Sequence, residues 1–176
     1  MFQFIEKGMC GGISYIANRY GKANNKYMKN YDEKAPSKYI TYLDANNLYG
    51  CAISQYLPTG SFTCLTEKEL NKIDLAKYTE DSKHGLILEV DLEYPHSLHD
   101  LHNDHSLAAE KISVSKYMLS SYCETIRQKY NITIGQVKKL IATLSNREKY
   151  VLHYRNLQLY LDLGLKLKKG ATCIRI

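Results

Sequence analysis

The sequence predicts an α+β fold, and three observations lead there. Leu86, Leu88, Val90 and Leu92 alternate with Glu89, Asp91 and Glu93, which is the two-residue period of a strand with one wet face. Helix signals lie on both sides of it: Thr66 and Glu69 in the spacing of a capping box, and Gly164 directly after the apolar run that ends at Leu163. Strands and helices therefore interleave, with no internal repeat and no low-complexity tract. A domain typically runs to about 100–150 residues, so a chain of 176 residues has room for one core and little more.

Composition narrows the class. Hydrophobic residues make up 44% and charged residues 24%, as in ordinary globular chains, and no window approaches a membrane span. The start, Met1 to Glu6, lacks the basic and then apolar pattern of a leader. Five widely spaced cysteines without a Cys-x-x-Cys read as reduced intracellular thiols, with nothing to separate nucleus, mitochondrion or virus. Lysine and arginine total 24 against 18 aspartates and glutamates, a net charge of +6 that suits a polyanionic partner. Sixteen tyrosines, with three phenylalanines and no tryptophan, fit a base-stacking surface or simply the drift of an AT-rich genome.

Taken in order, Gly8 to Gly12 is a turn candidate, and Ser14 to Lys29 reads as a helix. On that helix Arg19, Lys22, Lys26 and Lys29 would form a basic stripe beside Tyr20, Tyr27 and Tyr31, either a phosphate-tracking surface or a solvated face. Asp32 to Ser37 is a polar loop with a proline stop. Lys38-Tyr39-Ile40-Thr41-Tyr42-Leu43-Asp44 reads as a strand ending on a carboxylate, and Ala45-Asn46-Asn47 as a turn with capping side chains before a helix from Leu48 to Tyr56. An aspartate so placed can hold a metal ion on rigid backbone, although it is more often a cap.

Leu65 to Leu70 opens a small helix, and Gly85 to Tyr94 is the clearest strand. Pro95 to Ala109 is an irregular connection rich in histidine and aspartate. A helix-like stretch spans Ser115 to Tyr130, Gln136 to Thr143 is too short to assign, Tyr150 to Tyr154 reads as a strand, and Asn156 to Leu163 as a helix with Gly164 at its C′ position.

The segment Tyr42-Leu43-Asp44-Ala45-Asn46-Asn47-Leu48-Tyr49-Gly50 resembles motif A of family B DNA polymerases, usually written Asp-x-x-Ser-Leu-Tyr-Pro. Extended to Gln55-Tyr56-Leu57-Pro58-Thr59-Gly60, it is more similar to the protein-primed branch, the organellar and viral type B polymerases of linear plasmids, viruses and self-synthesising transposons. Glu89 to Pro95, Leu98 to Asp104 and His153 to Leu161 continue the resemblance in family order, over nearly the whole chain.

The resemblance implies a partial palm, an antiparallel sheet backed by helices with part of an inserted α/β subdomain. Residues 1–37 would hold the Gly-Gly turn and basic helix leading into the palm, 38–95 the partial palm with motif A, and 96–176 the insertion region and a truncated end. The implied activity is DNA-directed DNA synthesis from deoxynucleoside triphosphates with Mg²⁺. Asp44 would be the catalytic metal ligand, Ala45, Asn46, Asn47 and Leu48 the backbone facing the triphosphate, and Tyr49 the gate that excludes a ribose 2′-hydroxyl. Gly11 and Gly12 resemble the end of the Tyr-x-Gly-Gly element that contacts template DNA, with Met9 where the tyrosine belongs. Together with Arg19, Lys22, Lys26 and Lys29 they form the expected DNA contacts. Expected partners are DNA template and primer, deoxynucleoside triphosphates and a terminal priming protein, with no membrane.

Neither the Lys-x-x-x-Asn-Ser-x-Tyr-Gly of motif B nor the Asp-Thr-Asp of motif C occurs in the sequence, and the family pattern is lost from Lys169 onward. The expectation is a polymerase fragment that is inactive alone, since one carboxylate cannot place two ions.

Three other readings stay open. His96, His99, His102 and His105 with Asp100 and Asp104 could hold a transition metal. Asp44 and Asp91 could serve a two-carboxylate nuclease, although Glu89, Asp91 and Glu93 are more simply the wet face of a sheet. A non-catalytic DNA-binding remnant would use the cations and tyrosines without turnover.

Overall fold

The computed structural model describes all 176 residues, the side chains of Lys169 and Ala171 excepted. It has an α+β fold with antiparallel sheets. The chain divides into two compact units, one formed by Met1–Ser14 with Pro58–Ile176 and the other by Tyr15–Leu57.

In the larger unit the alternating segment forms strand β2 (Leu86–Glu93), with every second residue buried as its period requires. It lies inside a four-stranded antiparallel sheet of order β1-β6-β2-β5, whose other members are β1 (Thr63–Cys64), β5 (Arg147–His153) and β6 (Lys166–Arg175). Leu88 stands opposite Leu152 on one side and Cys173 on the other. Leu86, Leu88, Val90 and Leu92 pack with Leu152, Cys173 and Leu165 and with Tyr154 and Leu157 of helix α5 (Tyr154–Asp162), and this is the core. Burial raises the Cys173 thiol pKa to about 11, so the group stays neutral there.

Helix α5 ends as its sequence predicts. Gly164 takes φ +100, its N–H donates to Leu161 O (2.9 Å), and the Leu165 N–H donates to Tyr160 O (2.9 Å), the paired bonds of a Schellman cap. Gln158 Nε2 donates to the carbonyls of Leu75 and Tyr78, and Tyr154 Oη to that of Thr79, which fastens the 75–79 segment across the helix. The capping box forms at helix α3 (Glu67–Leu70), where Glu69 Oε2 accepts from the Thr66 N–H (2.9 Å) and hydroxyl (2.7 Å).

The three carboxylates on the other face of β2 all have structural partners. Glu89 pairs with Lys7 of helix α1 (Phe2–Gly8) at 2.7 Å, and Glu93 pairs with Lys168 at 3.2 Å. Asp91 Oδ1 accepts the Lys149 N–H at 2.8 Å, at a bulge in β5 where Lys149 takes φ 51. This face is half-buried rather than fully wet: the Glu89 side chain is 15% exposed, and Val151, paired opposite it, is buried.

Between β2 and β5 the chain makes a long excursion. It holds a separate two-stranded sheet, β3 (Glu110–Ser113) with β4 (Lys138–Ile141), and helix α4 (Ser121–Lys129). The predicted stretch from Ser115 to Tyr130 is thus divided. A short 3₁₀ turn spans Lys116–Met118, and α4 begins after Ser120, whose hydroxyl oxygen accepts the Cys123 N–H.

The smaller unit departs from two expectations. The helix from Ser14 to Lys29 does not form, so Arg19, Lys22, Lys26 and Lys29 lie on irregular chain with no common helical stripe. Asparagine explains this. Asn24 Nδ2 donates to the carbonyls of Asp32, Ala35 and Pro36 while its Oδ1 accepts from the Asp32 N–H, and Asn25 Oδ1 accepts from the Tyr27 N–H. Such side chains offer backbone an alternative to the helix.

The strand from Lys38 to Asp44 also does not form. Lys38 makes one bridge, to Asn24, and the residues after it are exposed, Tyr42 at 94% and Leu43 at 85%. Residue preference alone cannot make a strand without a partner edge. Strand β2 offers no free edge, since β5 and β6 occupy both sides of it.

Candidate functional site

The Asp44 to Gly50 segment is built around an asparagine cap. Asn47 adopts a left-handed conformation (φ 54, ψ 48), which asparagine tolerates better than most residues, and its Oδ1 accepts the Gly50 N–H at 3.1 Å. Helix α2 (Leu48–Ile53) follows. Gly50 is required for this closure, because a Cβ there would stand 2.3 Å from Asn47 Nδ2. Asn47 and Gly50 of the Asn-Leu-Tyr-Gly sequence therefore work as one local device, and the predicted capping turn is present.

Asp44 lies exposed just before that turn. Tyr49, on the first turn of α2, is 87% exposed rather than half-buried as an ordinary helix aromatic would be. Ala45, Asn46 and Leu48 are exposed as well. The segment thus presents a carboxylate, a run of backbone and an aromatic ring to solvent, in that order. Asn47 Oδ1 accepts the Gly50 N–H and Asn47 O accepts the Cys51 N–H at 3.0 Å, so both oxygens of Asn47 serve the helix start.

Gly11 and Gly12 are exposed in the larger unit, and a Cβ at either would meet nothing within 4 Å. The surrounding structure makes no steric demand for glycine at either position. Lys26 Nζ lies 5.2 Å from the centre of the Tyr27 ring, a cation–π contact on the exposed basic segment.

A two-ion magnesium centre needs several hard oxygen donors held together. Asp44 is the single carboxylate of its segment, and among the described residues no three His, Cys, Asp or Glu side chains gather into a group that could hold a metal ion. The donor set does not fit a two-ion centre on its own. The histidine row is likewise not an assembled transition-metal site. His102 is buried and its Nδ1 lies 2.7 Å from Tyr94 Oη, while His96 and His99 stack on each other with ring centres 4.6 Å apart. Asp91, the second carboxylate of the nuclease reading, is held by the Lys149 amide.

The structure also shows a basic surface that the sequence did not announce. Between Lys111 and Ile141 there are six lysines and arginines and one glutamate. Glu124 pairs with Arg127 (2.7 Å) and Lys116 (3.7 Å), and the bond to Arg127 lowers the Glu124 pKa to about 2. Lys111, Lys129, Lys138 and Lys139 form no salt bridge among the described residues. The pairing of Lys111 with Leu140 and of Ser113 with Lys138 puts Lys111 and Lys138 on the same face of the β3–β4 sheet. Tyr117, Tyr122 and Tyr130 in the intervening segment are exposed. The signal available in the sequence was local charge density, which the whole-chain total conceals.

No helix among the described residues is long and apolar enough to cross a membrane. No family model, curated protein or solved structure matches the chain.

Proposed function

We propose that this chain is part of a protein-primed family B DNA polymerase and contributes the segment that receives the incoming deoxynucleoside triphosphate. The reading rests on the order Asp44, capping turn, Tyr49, with carboxylate and ring both open to solvent on either side of a helix start closed by Asn47 and Gly50. Four sequence blocks in family order support it.

In this reading the Tyr49 ring takes the space beside C2′ of the sugar and disfavours a 2′-hydroxyl. Asp44 supplies one oxygen donor to Mg²⁺, and the remaining donors, with the functions of motifs B and C, come from outside these residues. The chain binds nucleotide weakly and does not extend a primer by itself.

Equilibrium binding of a fluorescent deoxyadenosine triphosphate, with and without Mg²⁺, tests this. Binding that needs Mg²⁺ and is abolished in Asp44→Ala supports the assignment. Binding indifferent to both the ion and Asp44 contradicts it.

A second reading, a nucleic-acid-binding chain without turnover, is favoured by the unpaired lysines and exposed tyrosines of the β3–β4 excursion. A DNA affinity that falls with salt and is insensitive to Asp44→Ala, in a chain that binds no nucleotide, selects it.

A further inference from the structure

Three features that each raise free energy meet at one place, the root of the excursion between β2 and β5. Arg147, the first residue of β5, is 1% exposed, the largest of the fully buried side chains. Ala108 is buried in a left-handed conformation (φ 53), which for a residue with a Cβ is strained. The Thr143 hydroxyl is buried without a hydrogen-bond partner among the described residues. A buried unsatisfied hydroxyl and a strained φ persist where surrounding contacts over-determine them.

The over-determining group is the Arg147 guanidinium. Its Nε donates to Ala108 O (2.7 Å) on the incoming limb. Nη2 donates to Thr143 O (2.7 Å), and Nη1 to Ser145 O and Asn146 O, on the outgoing limb. Both limbs are therefore tied to one side chain. Glu110 is the one carboxylate paired with it among the described residues, at 3.5 Å and partly exposed. Tyr150 Oη donates to Ala109 O (3.0 Å), and Asn146 Oδ1 accepts the Tyr94 N–H (2.8 Å), which completes a polar root.

The 95–107 limb is held to the core at Tyr94, whose Oη lies 2.7 Å from Nδ1 of buried His102 and accepts the Leu107 N–H at 3.3 Å, but beyond the root little holds the β3–α4–β4 segment. None of β3, α4 or β4 contains a buried residue. Leu98, Leu107, Ala108 and Leu144 are the excursion's aliphatic contacts with the core, and three of the four flank the root. Hydrogen bonds to a buried cation fix position well, but they give less net stability than apolar packing of equal volume. The arrangement is thus specific and weak at once.

The geometry points to a latch: Arg147 holds the 109–142 part of the excursion in one position by gripping the carbonyls that flank it on both limbs, and when that grip is released this part opens as one body while the four-stranded sheet stays folded. The excursion carries the basic and tyrosine-bearing surface, so the latch sets where that surface is held. This inference is independent of the polymerase reading, since it uses neither Asp44 nor Tyr49.

Residue-resolved hydrogen exchange on the full chain tests it, with two variants chosen to act in opposite directions. In Thr143→Val the orphan hydroxyl is removed at nearly constant volume, and amides of β3, α4 and β4 should exchange together, about tenfold more slowly than in the unaltered protein. In Arg147→Met they should exchange at least about tenfold faster, with Leu88 and Cys173 unchanged. Equal acceleration across β2 and β6, or a Thr143→Val protein whose excursion amides are unaffected or respond one by one, overturns the proposal. Should Arg147→Met not fold, Thr143→Val alone decides.

Discussion

The Asp91 carboxylate accepts the backbone N–H of Lys149 at 2.8 Å, across a bulge where Lys149 is held in the left-handed region. The bond explains an acidic residue in the middle of the best-formed strand. Replacing Asp91 with alanine should destabilise the fold by about 1–2 kcal/mol, read as a lower denaturant midpoint. Lys149→Gly should raise stability by about 1 kcal/mol, since glycine takes a positive φ without strain. An Asp91→Ala protein of unchanged stability would show the bond to be incidental.

Gly50 is the sterically constrained position of the candidate site. An alanine there would collide with the Asn47 amide, so Gly50→Ala should displace the Asn47 side chain and remove its cap, while Cys51→Ala should leave the cap intact. Amide exchange at residues 50 and 51 measures this, and removal of a cap of this kind costs about 1 kcal/mol.

Two groups give acid sensitivity in separate ranges. Burial, with Arg155 nearby, lowers the pKa of His153 from its ordinary 6.5, and its Nδ1 accepts the Arg155 N–H at 3.4 Å at the start of α5. The neutral ring is the form favoured by folding, so this contribution is complete above pH 6.5 and disappears as pH falls through the lowered value. The bond from Arg127 holds Glu124 at about 2 instead of 4.5, so its contribution to α4 is complete above pH 4.5 and disappears as pH approaches 2. Amide shifts followed by NMR should change around α5 first and around α4 only in stronger acid. The reverse order would contradict both assignments.

If the β3–β4 face binds a nucleic-acid backbone, affinity for a fluorescent single-stranded oligonucleotide should fall steeply with salt. Charge reversal at Lys111 and Lys138 should flatten the log–log slope by about 0.7 for each phosphate that is no longer neutralised. A slope unchanged by the double variant would place the binding face elsewhere.

The sequence revealed most where one face of an element is buried. The alternation in β2 and the apolar face of α5 with Gly164 after it are local signals of burial, and the structure uses them as read. Lys38 to Asp44 misled because strand preference describes a residue while a strand needs a second chain segment, and that segment is absent from its side. Arg19 to Lys29 misled because charge spacing says nothing of the competing hydrogen bonds of Asn24 and Asn25. Strand β6 carries only a short alternating signal, Leu165 to Lys168, and the residues that follow it have no clear period of their own. Nothing local marks Arg147 as buried, because its partners are carbonyls up to 39 positions away. The candidate site was visible through resemblance rather than periodicity, since Asp44 and Tyr49 belong to no repeating pattern.

Competitive binding of dATP against ATP in the presence of Mg²⁺ asks whether Tyr49 and Asp44 together receive a deoxynucleotide. The unaltered chain should prefer dATP, Tyr49→Ala should bind the two alike, and Asp44→Ala should bind neither. Equal binding of dATP and ATP by the unaltered chain, or a preference that survives Tyr49→Ala, would contradict that role.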